Sequence, residues 1–538
     1  MEKRALIAVA ISFIILLVYQ YFFIKPVPQE IQNQPVVTEK EKPVSEETKS
    51  SSVPAPSPVA VSKTTGSPSQ EEEIKIETEV YSMILTTKGA TVKHFELKKY
   101  KDKDGKNVLL LKNPGLIPPL SIGSKDDFEL GSVTFRISSP GGGRNMTLDK
   151  NNTSGTLVFE YADSGFSIKR SFTFYHDSFR VDIKDEVSGL PEYWITTGTD
   201  FGIYDNKDTS VHSGPVLLKE TDRIEFAAGK LNEVKTYSQG LKWIAQEDKY
   251  FFASLVPITT MEEARVWQIK DSPVIAFKGK SGTNSFILYA GPKEYDKLKT
   301  LKVGLEHIVD FGFFSILAIP LFWVLKLFYN LTANYGWAII LLTIVTRIPF
   351  IPLISKSQKS MKKMQEIQPR MAEIKEKYKK DPQRMQKEMM GIYKTHKVNP
   401  VGGCLPILLQ IPVFFALYKI LLITIELRAA PFMLWIQDLS APDTLFGHIP
   451  AAIPLIGGFA VGPLPIVMGI TMVIQQKMTP TSLDPTQNKI MMLMPVVFTF
   501  LFLNFASGLV LYWLINNIFS IAQQFYTNKK VAKEAASA

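Results

Sequence analysis

The stretch at residues 399–418, NPVGGCLPILLQIPVFFALY, decides the architecture of this chain. It opens an apolar run long enough to cross a bilayer, since about 20 helical residues span a hydrocarbon core of roughly 30 Å. Upstream, Arg347 lies inside a second apolar run, residues 335–354. Burying a charge among lipid tails costs roughly 3 kcal/mol or more. Polar groups must therefore surround this arginine.

A basic stretch separates the two apolar runs. Residues 356–397 hold thirteen Lys or Arg against five acidic residues, a surplus of eight, whereas the whole chain has a net charge of +10. Short basic loops stay in the cytoplasm. The surplus therefore indicates the orientation of the spans, and we expect no direct nucleic-acid specificity.

Composition excludes a purely soluble protein. The chain has 538 residues, 46% of them hydrophobic, together with long polar stretches. Its single cysteine, Cys404, lies in a predicted span, which excludes a disulfide framework and a cysteine metal site. The histidines are scattered singly, and neither a phosphate-binding loop nor a nucleophile elbow is present. We expect no metal, no cofactor and no enzymatic activity.

The N-terminal half predicts an anchor, a tether and a sheet domain. Residues 1–25 contain an apolar run, 5–24, that follows two basic residues, and we interpret this region as an uncleaved transmembrane anchor rather than a signal peptide. Residues 26–73 are rich in Pro, Ser, Thr, Glu and Lys and predict a flexible linker. Residues 74–300 alternate apolar and polar positions, as at Phe166, Ile168, Phe172 and Phe174, and predict a β-sandwich outside the cytoplasm.

The C-terminal half predicts a helical bundle. Residues 311–331 and 335–354 cannot both cross, because the basic loop would then lie outside, so we place an amphipathic interfacial helix within region 301–334. Residues 335–528 form a five-helix core with a cytoplasmic helical hairpin at 356–398, followed by a short basic tail at 529–538. The expected fold is a polytopic α-helical membrane protein with six transmembrane helices plus an all-β domain. Both termini are then cytoplasmic. The spans are about 5–24, 335–354, 401–425, 463–476, 490–507 and 509–525.

Arg347 lies roughly 13 Å inside the cytoplasmic end of its helix, by the rise per residue. Pro349 and Pro352 follow it and leave backbone carbonyls that need other partners. Other spans supply polar groups at comparable depth: Thr343, Thr346, Gln410, Asn504, Asn516 and Asn517. Such groups usually face a bundle interior or a water-filled cavity. We favour a hydrophilic cavity, although Arg347 could instead extend to the cytoplasmic surface.

The basic stretch carries two heptad-like seams. The first is Met364, Ile367, Met371, Ile374 and Tyr378, and the second is Met385, Met389, Ile392 and His396. Between them, Asp381 and Pro382 predict a helix restart with an aspartate N-cap. Two antiparallel helices would form a hairpin below the membrane. Its basic residues either only fix topology or provide a docking surface for an acidic or RNA-rich partner or for nascent chains.

Two other classes of protein remain open from these residues. A small-anion transporter or channel could use the same arginine-lined cavity, but no inverted repeat or second charge is evident. An envelope protein that binds polysaccharide through its β-domain would need no intramembrane arginine.

The chain resembles the YidC family of membrane protein insertases. The resemblance rests on Arg347 and on the stretches QPRMAEIKEKY, NPVGGCLPILLQIPVFFALY, ELRAAPFMLWIQDLSAPD, MPVVFTFLF and SGLVLYWLINN. It runs almost continuously from residue 335 to the C-terminus. The N-terminal regions look like the Gram-negative form, whose β-domain is periplasmic, with a weaker match at WITTGTDFG and YAGPKEYDKL.

The resemblance implies an energy-independent insertase and chaperone of the bacterial inner membrane. It would act on nascent membrane proteins alone or with Sec translocon components, in contact with the lipid bilayer and transiently with the ribosome. Arg347 would line a groove open to the cytoplasm and to lipid, with Gln410, Tyr512 and Trp513 as further substrate contacts. The hairpin would receive substrates or touch the ribosome.

Overall fold

The computed structural model describes residues 70–537, with gaps at 103, 113–114, 139–144, 164, 206–207, 209, 228–230, 232, 397–404, 451–452, 454–456 and 479–484. The predicted N-terminal anchor and nearly all of the linker lie outside the described residues, as does Cys404. Residues 67–482 and 493–538 belong to one compact unit.

The first part of this unit is almost entirely β-sheet. Its strands are β1 (Glu73–Glu77), β2 (Tyr81–Thr86), β3 (Thr91–Lys101), β4 (Asn107–Leu111), β5 (Ile122–Gly123), β6 (Arg136–Ile137), β7 (Asn145–Thr147), β8 (Ser154–Ala162), β9 (Ser167–Tyr175), β10 (Arg180–Thr196), β11 (Gly214–Lys219), β12 (Asp222–Glu225), β13 (Lys235–Ser238), β14 (Leu241–Glu247), β15 (Phe251–Pro257), β16 (Glu263–Ile269) and β17 (Ser272–Pro292).

These strands form two sheets. The smaller has the order β4-β3-β2-β1-β7, and the larger runs β12-β11-β14-β15-β17-β10-β9-β8-β6, with β16 pairing β17 and β13, and β5 pairing β10. Apolar residues in β9 are buried as their alternation predicts: Ile168, Phe172 and Phe174 all lie in the core. After β9 the chain turns at His176-Asp177 and continues as β10, which pairs antiparallel with β9. A mostly β domain was predicted here from the same alternation.

The rest of the described chain is largely helical. Its helices are α1 (Tyr295–Thr300), α2 (Ser315–Thr332), α3 (Tyr335–Arg347), α4 (Ile351–Glu366), α5 (Gln368–Lys377), α6 (Pro382–Thr395), α7 (Leu405–Ile423), α8 (Pro463–Met478), α9 (Pro485–Phe502) and α10 (Ser507–Ser537). Short 3₁₀ turns occupy Glu129–Ser132, Leu305–Ile308, Ile348–Phe350 and Ile425–Leu427. The long helix α10 packs against α3 and α8.

By length and composition, two helical segments among the described residues could each cross a membrane: Ser315–Thr332 and Tyr335–Glu366. The second combines α3 and α4 through the 3₁₀ turn. Shorter apolar helical stretches occur at Gln410–Ile423 and Met491–Phe502. The first segment, Ser315–Thr332, is the one that the sequence predicts to lie at the membrane surface.

Candidate functional site

Arg347 is the last residue of α3, and its side chain is buried, with 6% of the residue exposed. The N-cap of this helix is Asn334, whose side-chain oxygen accepts hydrogen bonds from the Gly336 and Trp337 amides. This N-cap fixes where α3 starts and hence the depth at which the arginine lies.

The two prolines after Arg347 are accommodated by a tighter turn. The Ile348 amide donates to the Val345 carbonyl, and the Ile351 amide donates to the Ile348 carbonyl. These are the carbonyls that Pro349 and Pro352 would otherwise leave unpaired, because proline has no N–H. These carbonyls were expected to need other donors, and a 3₁₀ turn supplies those donors locally.

The guanidinium of Arg347 binds the middle of α10. Its Nε donates to Asn516 Oδ1 at 2.6 Å, while Nη2 donates to the Asn516 carbonyl at 3.0 Å and to Ser520 Oγ at 2.6 Å. Asn516 and Ser520 are one helical turn apart and therefore lie on one face of α10.

A third helix contributes an amide to the same cluster. Gln410 of α7 donates from Nε2 to Asn516 Oδ1 at 2.7 Å, so this oxygen accepts from both the arginine and the glutamine. A small pocket opens here, lined by Thr346, Arg347, Phe350, Ile354, Gln410, Val413, Tyr512 and Asn516. Its cavity volume of about 10 Å³ is room for roughly one water molecule.

Among the described residues, three atoms accept hydrogen bonds from Arg347, and all three are neutral. Oxygens of an amide, a carbonyl and a hydroxyl solvate a cation but do not cancel its charge. A buried charge normally has a counter-ion, because desolvation of an unpaired ion costs several kcal/mol. The pocket therefore keeps a net positive charge that an incoming anionic group could bind.

Two predicted threonines differ in their relation to the pocket. Thr346 lines it, and its hydroxyl donates to the Thr343 carbonyl at 3.0 Å. Thr343 is fully buried, and its hydroxyl donates to the Ile339 carbonyl at 2.7 Å. Thr343 thus uses its donor within its own helix.

Asn504 and Trp513 are not brought to this pocket. Asn504 Oδ1 accepts from the Ala460 amide at 3.1 Å, in the loop that precedes α8. Trp513 packs against Phe414, Phe498 and Phe502 at centroid distances of 5.1, 6.0 and 5.2 Å. It follows Tyr512 by one residue, a rotation of about 100° around the helix, so the two side chains point to different neighbours.

Sequence reasoning missed Ser520, which binds Arg347 directly. The available signal was its position four residues after Asn516, on the same helical face. Asn517, in contrast, turns to α8, where its Nδ2 donates to Thr471 Oγ1 at 3.1 Å.

The basic hairpin has a small apolar cluster of its own. Met364, Ile367 and Met371 are buried, and Met389, Ile392 and Tyr393 of α6 pack against them. Ile374, Tyr378 and Met385 are half-buried along the same helices. Tyr393 joins this contact although it was not assigned to the seam, and His396 Nε2 lies 3.5 Å from Arg370 Nη1 of α5.

The predicted helix restart in the hairpin is present. Asp381 accepts a hydrogen bond from the Arg384 amide at 3.0 Å, and Pro382 begins α6. The Arg384 guanidinium lies 5.3 Å from the ring centroid of Tyr378. These contacts order the turn between α5 and α6.

Among the residues that the structure describes, no group of three or more His, Cys, Asp or Glu is arranged to hold a metal ion. The polar pocket at Arg347 contains no carboxylate, thiol or imidazole among its lining residues. Its chemistry is that of electrostatic attraction and hydrogen bonding.

Comparison with known proteins matches almost the whole described chain. The family model described as 60Kd inner membrane protein matches residues 327–534, and that of the YidC periplasmic domain matches residues 73–324. A membrane protein insertase YidC from Syntrophus aciditrophicus is 39% identical, over 98% of this chain and 100% of its own length.

Two further relatives carry the same name. The one from Geotalea daltonii is 39% identical and the one from Geotalea uraniireducens is 38% identical, each over 99% of this chain and 100% of its own length. Nothing in these comparisons supports the anion transporter. The chain therefore belongs to the YidC family of membrane protein insertases, as its sequence motifs predicted.

Proposed function

We propose that this insertase draws the polar or acidic tail of an incoming membrane protein into a hydrophilic groove at Arg347. The tail would enter from the cytoplasm while the apolar part of the substrate leaves sideways into lipid. Arg347 would supply the charge, and Gln410, Asn516 and Thr346 would solvate the tail. Tyr512 would form one wall of the groove.

The observation that carries the proposal is the neutral surrounding of Arg347. A buried arginine that only held helices together would be better stabilised by a carboxylate, which supplies both charge and hydrogen bonds. Arg347 instead has neutral partners, all of them on α10. A carboxylate from a passing substrate can add to this set without displacing an internal acid.

The apolar faces of the helical core support a lateral route into lipid. Large apolar side chains are exposed on α8 at Ile466, Val467 and Ile470, and on α9 at Val496 and Phe500. Exposed apolar patches of this kind mark a membrane or protein contact. In the proposal, α7 and α9 flank the route by which the substrate passes into the bilayer.

The contacts of Lys326 support an interfacial position for α2. Its ammonium lies 2.6 Å from Asp296 Oδ2, next to the β-domain, and 2.9 Å from Glu426 Oε1, at the end of α7. A lysine with two acidic partners belongs at the outer boundary and not in the hydrocarbon core. We therefore keep six spans across the inner membrane. In this arrangement α2 lies on the outer surface of the membrane, the β-domain lies in the periplasm and both termini lie in the cytoplasm.

The hairpin of α5 and α6 is the proposed entry point. Its exposed surface is basic and its methionines are adaptable, which suits nascent chains and an RNA-rich ribosome surface. Sec translocon components are the proposed partners for larger substrates. The short basic tail at 529–538 would add to the cytoplasmic charge.

Substitution of Arg347 tests the proposal. The native protein is depleted, Arg347→Ala or Arg347→Lys is supplied at equal abundance, and insertion of a single-span protein with an acidic N-tail is followed by protease accessibility. We expect Arg347→Ala to lose most insertion because no other charged group lines the pocket. Arg347→Lys should retain part of it, since lysine keeps the charge but not the guanidinium geometry.

A matched control is Arg136→Ala in β6 of the β-domain, which removes an exposed arginine outside both the pocket and the hairpin. Normal insertion by both Arg347 variants would remove this arginine from the mechanism.

A further inference from the structure

The loop between α7 and α8, residues 424–462, is fastened to the outer ends of the helices by side chains that bind backbone. We call it the outer loop. Asp443 is its most buried acidic residue, 5% exposed, and all its hydrogen-bond donors among the described residues are neutral N–H groups.

The carboxylate of Asp443 joins the loop to the start of α8. Oδ2 accepts from Trp435 Nε1 at 3.0 Å and from the Leu464 amide at 2.8 Å, while Oδ1 accepts from the Leu445 amide at 3.3 Å. Leu464 is the second residue of α8, so its amide would be one of the unpaired donors of a helix N-terminus. The helix dipole also favours a negative charge there.

Shape reinforces this contact. Gly462 precedes α8, and a Cβ atom at this position would lie 2.0 Å from Asp443 Cγ. Only glycine lets the carboxylate approach so closely.

The same loop is attached at three other helix ends. Asn334, the N-cap of α3, donates to the Pro431 and Phe432 carbonyls at 3.3 and 3.1 Å. The Ser507 amide and hydroxyl, at the start of α10, both donate to the Ala441 carbonyl at 2.8 Å. Asn504, at the end of α9, accepts from the Ala460 amide.

These attachments all lie on one side of the pocket. Along α10, Asn516 follows Ser507 by nine residues, or about 14 Å of helix. Between them Leu509, Val510 and Leu511 are buried and apolar. The outer loop and this apolar layer together separate the charged pocket from the outside.

We propose that Asp443 is a positioning residue that keeps the outer loop closed over the helical core, so that the insertase stays sealed outside while its groove opens inward. The inference rests on the proposed function for the orientation of the loop. It assigns Asp443 and Trp435 to the seal and not to substrate contact.

The test measures access to a buried site below the loop. Val510 is fully buried in the parent protein. The full-length protein is made with Val510→Cys as its single cysteine, because Cys404→Ser removes the native one. A membrane-impermeant thiol reagent is then added from the outer or the cytoplasmic side. With Asp443→Asn, outer labelling should rise about tenfold, because buried N–H groups lose a charged acceptor. Insertion of the acidic-tailed protein should stay within about twofold of the parent, since the pocket residues are unchanged.

Asp438→Asn is the matched control. Asp438 lies in the same loop, but within the described part of the chain its Oδ1 accepts only from the amide and hydroxyl of Ser440, and neither group belongs to a helix. Its labelling should equal that of the parent. If Asp443→Asn does not accumulate, Trp435→Phe removes one donor to the carboxylate and keeps a ring of similar shape, and it should raise outer labelling as well.

The outcomes separate the two proposals. Increased labelling from the cytoplasmic side alone would show that the orientation in the proposed function is wrong. Unchanged labelling from both sides in a folded variant, or a loss of insertion without new labelling, would overturn the role of Asp443 in sealing.

Discussion

Two buried arginines, one in the β-domain and one in the helical core, have opposite surroundings. Arg170 of β9 is fully buried and its Nε donates to Asp185 Oδ1 at 2.9 Å. The two residues face each other directly across the β9–β10 ladder. Arg347 is almost as buried but binds Asn516 and Ser520.

The difference distinguishes a charge that the fold pairs with an acid from one that it leaves unpaired, as the proposed role of Arg347 requires. Arg170 also donates to the Leu120 carbonyl at 2.7 Å, so the pair ties β9 and β10 to a neighbouring segment. Its charge is cancelled inside the fold. The charge of Arg347 is solvated but uncancelled, so it remains available to a ligand. The test at Arg170 is therefore to remove one member of the ion pair, and the test at Arg347 is to add an acidic partner.

The largest expected effect is on the paired arginine. Arg170→Met leaves the Asp185 carboxylate buried without its cation and should destabilise the β-domain by about 3–5 kcal/mol. The urea midpoint for proteolysis of the β-domain, measured on the full-length protein, reports this change.

The double variant Arg170→Met/Asp185→Leu sharpens the result. It removes both charges, so no buried ion is left unpaired, but the Leu120 carbonyl still loses the hydrogen bond from Arg170 Nη1. We expect the double variant to be more stable than Arg170→Met and less stable than the parent. A double variant as unstable as the single one would show that the pair is more than a cancelled charge.

A smaller effect is expected from the second partner of Arg347. Ser520→Ala removes the hydroxyl that accepts from Nη2 but leaves both bonds to Asn516. A hydrogen bond to a charged group contributes about 1.5–3 kcal/mol in general, yet the pocket can admit water, so insertion should fall only about three- to tenfold. Insertion rates, measured at equal abundance of each variant, check this prediction. Ser507→Ala is the control, because it removes another hydroxyl of α10, one that binds the outer loop and not Arg347.

The smallest expected effect on stability comes from Glu77, a carboxylate paired with lysines near the surface of the β-domain. Burial alone would raise the pKa of Glu77, but hydrogen bonds from Lys75, Lys98 and Ser82 outweigh it and lower the pKa from 4.5 to about 2. A lowered folded-state pKa stabilises the domain above about pH 4.5, and this contribution is lost as the pH falls towards 2.

Glu77→Gln should therefore reduce the urea midpoint at pH 7 and flatten its dependence on pH between about 4.5 and 2. The same slope in parent and variant would show that Glu77 does not supply the linked proton.

The sequence predicted those features for which a single pattern is strong enough on its own. Alternation identified β9 and β10, and a charge within an apolar run identified Arg347. Amides at matching depth predicted the convergence of Gln410 and Asn516, because depth follows from residue count along a helix.

The side of a helix on which a given side chain finds its partners was harder to predict. Asn504 and Trp513 have suitable types, but which side of a helix faces the pocket depends on packing of neighbouring helices. The Arg170–Asp185 pair could have been found, since both residues occupy inward positions in alternating strands. No local pattern indicated the bonds of Asp443 to Trp435 and Leu464, which join segments through loop conformation.

In the proposed mechanism, Arg347 acts because its charge is not cancelled within the protein. Asn516→Asp gives it the kind of partner that Arg170 has, in nearly the same shape, while Asn516→Ala removes the amide without adding charge. Insertion of two single-span substrates, identical except for an acidic or a neutral N-tail, is measured at equal abundance of each variant. We predict that Asn516→Asp selectively loses the acidic-tailed substrate, whereas Asn516→Ala retains a preference for it. Equal insertion of both substrates by the parent and by Asn516→Asp would contradict the account.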